Sequence, residues 1–277
     1  MIAVGIVWPA VQTIGLAFVD AHGRFVGLQN FVSVLQNPET VDLGRFPFHS
    51  PPWGSLLHNA VWIVLHLPLS VILGLLLAVL LQRAHGAAFL KGVVFLGMVI
   101  PMIVGGVLVR FLFDEHAGVV NGVLRAVGLA AWARTWTDYP QTALFALILG
   151  SVWLWTGFAM LLYSAGLTAI PRDYYEAAAV DGASPWQQFL HVTVPGLRPM
   201  TTVIVAMTVL WELKLFDLVY TATLGGPGGS TLVLALQMYF YGFRALDPNR
   251  AAAVATLLSL LTLAVGVGFV RSSREGA

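Results

Sequence analysis

Formal charge is absent from six long stretches of this chain, and these stretches restrict its fold more than any other feature. Only 10% of the 277 residues are charged and 58% are hydrophobic, whereas soluble domains have about 25% charged residues. A bilayer core is crossed by about 20 consecutive apolar residues, and lipid offers backbone amides no hydrogen-bond partner, so membrane-length stretches must be helical. The charge-free stretches are 1–19, 46–82, 92–109, 139–171, 218–243 and 251–270.

This pattern predicts an all-α membrane protein of about six transmembrane helices, forming a single domain over residues 1–277. Six crossings put both termini on one side. The loop after the second span carries Arg83, His85 and Lys91 and no acid, which favours a cytoplasmic position for it and for both termini. The first span lacks the basic leader of a signal peptide, so we interpret it as a retained helix and expect a truncated start. The predicted spans are 2–19, 57–81, 92–113, 142–163, 200–220 and 251–270.

Charge and cysteine content exclude several functions. The net charge is only +1 and no basic cluster is present, which argues against a nucleic-acid partner. With no cysteine, the chain can form neither a disulfide nor a thiolate metal site. His58 and His66 lie on the second predicted span without a supporting group of acids, so packing or interhelical hydrogen bonding is favoured over metal binding. We predict no metal site and no catalytic residue.

The loop at 170–199 predicts two short helices joined by a bend. Pro171 and Asp173 are typical of a helix start, and Gly182 favours a left-handed stop, which gives a first helix over 172–180. Ser184 and Gln187 form a Ser-x-x-Gln capping box with a proline just inside it, which predicts a second helix. We expect this second helix to end before Pro195.

The string from Glu176 to Pro195 resembles the EAA loop of ABC-importer permeases. In that family the pattern is Glu-Ala-Ala, three residues, Gly, nine residues, Ile, one residue, Leu and Pro. Here Glu176 is followed by two alanines, Gly182 occupies the glycine position, and Val192 and Val194 replace Ile and Leu before Pro195. Spacing, glycine and proline therefore all agree with the family pattern.

The resemblance implies that this loop is cytoplasmic and transmits the closure of a separate ATPase dimer to the membrane helices. ATP and Mg are then expected on the partner ATPase, with no cofactor in this chain. The sequence agrees, because a P-loop requires Gly-Lys-Ser/Thr and neither Lys91 nor Lys214 lies in one. The residues that the resemblance assigns to ATPase coupling are Tyr175, Glu176, Ala177, Ala178, Asp181, Gly182, Ala183 and Pro195.

Further segments resemble the carbohydrate-uptake branch of this family, first-permease type. These are 25–31, 118–121, 216–220 and the Gly-Gly-Pro turn within 223–231. The implied role is a sugar importer in a bacterial or archaeal cytoplasmic membrane. The implied partners are a second related permease, a dimer of ATPase subunits, an extracytoplasmic solute-binding protein, a sugar-like substrate and membrane lipid.

Polar residues in and near the fifth predicted span are candidates for the substrate path, because ionisable groups inside a membrane are costly and usually face a cavity or one another. The alternatives for these acids are a structural ion pair that includes Lys214, or simple hydration of Glu212 and Asp217 near the end of the helix. Aromatic faces can stack on sugar rings. The candidate path residues are Trp211, Glu212, Asp217 and Tyr220.

Other functions remain open from the residues alone. A permease for glycerol phosphate, a polyol or a peptide would differ only in cavity chemistry, and Arg110 is the one obvious phosphate partner. A membrane-embedded enzyme would need polar catalytic residues on facing helices, which the charge-free stretches hardly provide. A secondary transporter would leave the EAA string unexplained.

Overall fold

The computed structural model describes residues 3–82 and 84–275, and nearly all regular structure in them is helical, apart from one isolated β-bridge between Val19 and Phe25. A π-helical turn over Ala3–Val7 leads into the first helix, and two 3₁₀ turns, Ala130–Trp132 and Trp136–Asp138, precede the longest one. The α-helices are α1 (Trp8–Leu16), α2 (Gln29–Leu35), α3 (Ser55–Leu80), α4 (Ala87–Val99), α5 (Met102–Leu112), α6 (Val119–Ala126), α7 (Pro140–Ala169), α8 (Arg172–Val180), α9 (Pro185–Gln188), α10 (Val194–Gly196), α11 (Arg198–Leu213), α12 (Asp217–Thr223), α13 (Leu234–Tyr239) and α14 (Pro248–Glu275).

Three of these helices, α3, α7 and α14, are long and apolar enough to cross a membrane unaided. Two further pairs pass the same test as bent units, α4 with α5 and the segment Pro185–Gly196 with α11, which raises the number of candidate crossings to five within the described residues. The predicted first span contains only a shorter apolar helix, Gly5–Leu16. An all-α membrane fold is confirmed, and the sixth crossing stays a prediction.

The third predicted span, 92–113, is not one helix. It breaks at Ile100 and Pro101, which both have extended backbone angles, and α4 and α5 meet there at 109°. The cause is local, because proline disfavours helical angles in the residue before it and cannot donate a backbone hydrogen bond. The prediction of a continuous span was therefore wrong at this position.

The fifth predicted span, 200–220, is also interrupted. α11 ends at Leu213, residues 214–216 are not helical, and α12 begins at Asp217. Phe216 has the angles φ −136° and ψ −61°, outside the helical range. The acidic residue at the start of α12 suits the positive end of its dipole. The break places Glu212 and Asp217 on two different helices.

Close packing around α7 organises the described core. α7 contacts α3 along much of its length and also contacts α4, α5 and α11. A Cβ added at Gly157 of α7 would come within 2.9 Å of the backbone oxygen of Val94 in α4, and one added at Gly97 of α4 would come equally close to the Trp153 oxygen in α7. Small residues at such positions let membrane helices approach closely.

Candidate functional site

Residues 172–196 form a helical hairpin between α7 and α11, which we call the 172–196 hairpin. Its first arm is α8, with the predicted bounds Arg172–Val180. Its second arm runs through α9, a π-helical turn at Phe189–Thr193 and α10. The expected end before Pro195 was wrong, since the helical path continues to Gly196. The wider π turn accommodates a proline, whose ring would crowd the preceding turn of a regular α-helix.

Hydrogen bonds define the bend and, separately, join the two arms. Gly182 has φ +79°, the left-handed angle that the sequence predicts. The predicted capping box is confirmed, because the Gln187 backbone N–H donates to Ser184 Oγ at 3.3 Å and the Ser184 backbone N–H donates to the Gln187 side-chain Oε1 at 2.7 Å. Tyr175 and Thr193 add a hydroxyl–hydroxyl bond of 2.9 Å from one arm to the other. The bend is therefore a defined structure.

The hairpin exposes half of the eight predicted coupling residues at its surface. Glu176, Ala177, Asp181 and Gly182 are exposed, and the remaining four are half-buried. Between the arms lies a groove of about 230 Å³. Its lining comprises Ala178, Asp181, Gly182, Ala183, Gln187, Gln188, His191 and Val192.

Three large side chains on the hairpin that the sequence analysis did not single out are also exposed. Val180 is 88%, Trp186 66% and Tyr174 61% exposed. Trp186 stacks on Phe189 with ring centroids 5.4 Å apart. An exposed apolar group rimmed by polar residues is typical of a protein contact surface. Their exposure could have been predicted from the sequence, because they lie in a short polar loop and side chains in such loops usually contact solvent.

A second group of functional candidates is a buried polar cluster of His66, Ser70 and Asn59 on α3 with Glu212 on α11. His66 Nδ1 lies 2.6 Å from Glu212 Oε1, and both side chains are fully buried. Asn59 donates to the Glu212 backbone oxygen at 2.8 Å and accepts from the Leu234 N–H at 2.9 Å. Glu212 Oε2 has no hydrogen-bond partner in the described residues. The cluster therefore ties α3, α11 and α13 together.

Tryptophan stacking extends this contact to α7. Trp211 lies 5.5 Å from the His66 ring and stacks on Trp155 at 4.8 Å. Trp155 in turn donates its indole N–H to Thr208 Oγ1 at 2.7 Å. Packing or interhelical hydrogen bonding, the role predicted for the membrane histidines, is confirmed for His66.

The four predicted path residues do not form one group. Trp211 is half-buried and Glu212 is fully buried inside the chain, where its partner is His66 and not Lys214. Asp217 is exposed at the start of α12. Tyr220 stacks on Phe216 at 5.2 Å and meets Tyr239 edge-on at 5.6 Å.

An aromatic row, which the sequence analysis missed beyond Tyr220, continues from this point. Tyr239 stacks on Phe243 at 5.3 Å, and Phe243 is 74% exposed. The row crosses from α12 to the segment after α13, so spacing along the chain could not reveal it.

In residues 3–82 and 84–275, no group of three or more His, Asp or Glu side chains is placed to hold a metal ion.

Comparison with known proteins gives consistent matches over most of the chain. Residues 70–272 match the sequence model of the family described as binding-protein-dependent transport system inner membrane component. A probable ABC transporter permease protein of Pyrococcus horikoshii is 56% identical over 259 residues, covering 93% of this chain and 89% of the relative. The trehalose/maltose transport system permease protein of Thermococcus litoralis is 31% identical over 251 residues, or 90% of this chain and 80% of the relative.

Solved structures match the fold. A chain from the crystal structure of a bacterial ABC transporter involved in the import of alginate superimposes with a TM-score of 0.80, covering 99% of this chain and 91% of that chain. The sequence identity is 21%, so this similarity bears on architecture alone.

Proposed function

The chain belongs to the family of binding-protein-dependent transport system inner membrane components, and we propose that it is the membrane-spanning permease subunit of an ATP-driven importer for a sugar or oligosaccharide. In this role it forms part of the translocation path. It does not hydrolyse ATP itself; ATP and Mg are held by a separate ATPase dimer.

The observation that carries this proposal is the 172–196 hairpin. It joins two helices of membrane character, α7 and α11, and exposes an acid, small residues and large apolar side chains around a groove. Small residues let a partner surface approach the backbone, and Glu176 offers it an ion-pair partner. Movement of the hairpin is passed directly to α11, because only Leu197 separates them.

Two observations support a sugar as the substrate. The aromatic row at Phe216, Tyr220, Tyr239 and Phe243 offers flat apolar faces, on which the C–H faces of sugar rings can pack. The relative from Thermococcus litoralis is named for trehalose and maltose transport, and a 32% identical relative from Synechocystis is named for the uptake of osmoprotective compounds. We also assign Asp217, which follows Phe216 in the row, and Trp211 to the proposed path. Glu212 is buried and holds the neighbouring helices in place.

The proposed assembly places the hairpin in the cytoplasm of a bacterial or archaeal cell, with both termini on the same side. A second, related permease completes the path, and an extracytoplasmic solute-binding protein delivers the sugar. Two matching structures are those of a bacterial alginate importer and of its complex with an alginate pentasaccharide-bound periplasmic protein. That periplasmic protein is a partner of the matched transporter, and its class supports the partner proposed for this chain.

Co-purification from the native membrane tests the proposal. We expect an ATPase and a second permease to co-purify with the native chain. The amount of bound ATPase should fall at least about tenfold in the Glu176→Ala and Gly182→Trp variants, which corresponds to a loss of ~1.4 kcal/mol in the free energy of association. An added Cβ at Gly182 would contact nothing within 4 Å, so the cost of Gly182→Trp inside the chain is the backbone strain of its φ of +79°, which the Gly128 control shares.

The matched controls are Glu39→Ala and Gly128→Trp. Glu39 is an exposed acid outside the hairpin, and Gly128 has φ +82° with open space around it. Both controls should keep the ATPase. Loss of the ATPase from the controls to the same extent, or a chain that moves solute without any ATPase, would contradict the proposal.

A further inference from the structure

A polar pocket of about 320 Å³ lies far from the 172–196 hairpin. It is bounded by the end of α5, the 3₁₀ turn Trp136–Asp138, and α12 with the Gly-Gly-Pro turn that follows it. This 3₁₀ turn directly precedes α7, whose other end leads into the hairpin. A helix of 30 residues is about 45 Å long, so pocket and hairpin lie at opposite membrane faces. The pocket therefore opens on the extracytoplasmic side in the proposed orientation.

The lining of this pocket combines hydrogen-bond donors with acceptors. Arg110 and Asp138 are exposed at its rim, and neither forms a salt bridge within the described residues. Thr221 and Thr223 also line the pocket; their hydroxyls already donate to the backbone oxygens of Asp217 and Val219, and their lone pairs can still accept. Thr137 also lines the pocket, is only 3% exposed, and has a hydroxyl without a hydrogen-bond partner in the described part of the chain. Arg110, Asp138 and Thr137 thus have hydrogen-bonding or charged groups around this pocket that no described residue pairs with.

We propose that this pocket is an outer subsite that binds one ring of a hydroxylated sugar as it arrives at the permease. The inference rests on the proposed function, since it requires a sugar to be delivered to this face. A volume near 300 Å³ is at the lower end of the range for small-molecule sites. Ring hydroxyls match both the guanidinium of Arg110 and the carboxylate of Asp138, whereas a free anion would be repelled by Asp138. Ala222, Leu224 and Pro227 supply an apolar surface for the ring carbons.

The absence of cysteine allows a direct binding test in the purified complex. A Leu224→Cys variant places the only thiol of this chain at the pocket, where Leu224 is 48% exposed. The rate of its reaction with a maleimide is measured in the presence of glucose, maltose or trehalose, each at the same osmolarity as a sorbitol reference. Leu129→Cys is the matched control, since Leu129 is also 48% exposed and does not line the pocket.

We expect at least one of the three cyclic sugars to slow labelling of Leu224→Cys by at least about fivefold through occupancy, with no change at Leu129→Cys. Adding Arg110→Gln or Asp138→Asn to Leu224→Cys should remove this protection. Equal labelling with all three sugars and with sorbitol would overturn the proposal, and so would protection that survives both added substitutions.

The ATPase content of each labelled preparation separates this outcome from failure of the proposed function. If the ATPase remains bound and labelling is unprotected, the subsite is rejected while the importer role stands. If no ATPase accompanies the chain in any preparation, the importer role itself is rejected. Retained ATPase in the Leu224→Cys complex also shows that the variant has folded and assembled.

Discussion

His66 and Glu212 face each other between α3 and α11 with both side chains fully buried. Removing one member of such a pair leaves the other without its partner in a poorly solvated position, which typically costs about 3–5 kcal/mol. We therefore expect His66→Leu to lower the thermal stability of the purified complex, measured by unfolding in detergent. His22→Leu is the control, because the His22 side chain is 79% exposed.

The double variant His66→Leu/Glu212→Leu tests the cause of that loss. Replacing both partners by apolar groups removes the unpaired polar group, so part of the stability should return. A double variant less stable than His66→Leu alone would show that the side chains act independently of one another.

A pH effect is expected at Asp20, in the loop after α1. Its carboxylate accepts the Arg24 and His22 backbone N–H groups and the Arg24 guanidinium, and the Arg24 backbone hydrogen bond is the main cause that lowers its pKa from 3.8 to about 2. A lowered pKa contributes stability above the unfolded value, and this contribution is lost as pH falls through the folded value.

Asp20→Asn should consequently reduce the melting temperature slightly at neutral pH, by an amount that shrinks between pH 3.8 and about 2. Melting curves of the native chain and of Asp20→Asn across this range provide the measurement. A difference between the two proteins that stays constant down to pH 2 would contradict the assigned cause.

At the scale of helices, the contact between α4 and α7 depends on Gly157. A Cβ there would lie 2.9 Å from the Val94 oxygen and 3.1 Å from the Phe95 Cα, and backbone atoms cannot rotate away. We expect Gly157→Val to separate the two helices, at a cost of about 1–3 kcal/mol from overpacking, and to make the chain more sensitive to protease. Gly266→Val is the control in α14, because an added Cβ meets nothing within 4 Å.

The hairpin arms make a second element-scale prediction. Tyr175→Phe removes the hydroxyl that contacts Thr193, and one hydrogen bond of this kind contributes about 0.5–1.5 kcal/mol. Looser arms should transmit less force, so substrate-stimulated ATP hydrolysis should fall while ATPase binding persists. Combining Tyr175→Phe with Thr193→Val should add little to either single change, and full additivity would argue against a shared bond.

Sequence patterns predicted helices well where their signals were local. The bounds of α8 and the capping box at Ser184 follow from neighbouring residues, and both are confirmed. The break between α4 and α5 was missed, although Pro101 marks it, because apolar continuity was given more weight than backbone preference. The pairing of Glu212 with His66 joins residues far apart in sequence, and no spacing rule identifies such partners.

For the whole molecule, the proposed orientation makes a labelling prediction. Val180, on the hairpin, is 88% exposed, and Leu129, near the opposite face, is 48% exposed. In intact cells or right-side-out vesicles, a membrane-impermeant maleimide should label Leu129→Cys and leave Val180→Cys unlabelled until the membrane is opened. Labelling of both positions from the same side would contradict the predicted topology.

α11 leaves the hairpin at Leu197, only 1% exposed, with a bend of 62°. Its 16 residues form a rod about 24 Å long, and the contacts of Glu212 with His66 and Asn59 hold the far end. If that far end stays fixed, a displacement of about 2 Å at the hairpin end of α11 tilts the helix by about 5°. The helical break at 214–216 lies at the held end of this rod, so a small displacement of the 172–196 hairpin would change the angle between α11 and the aromatic row.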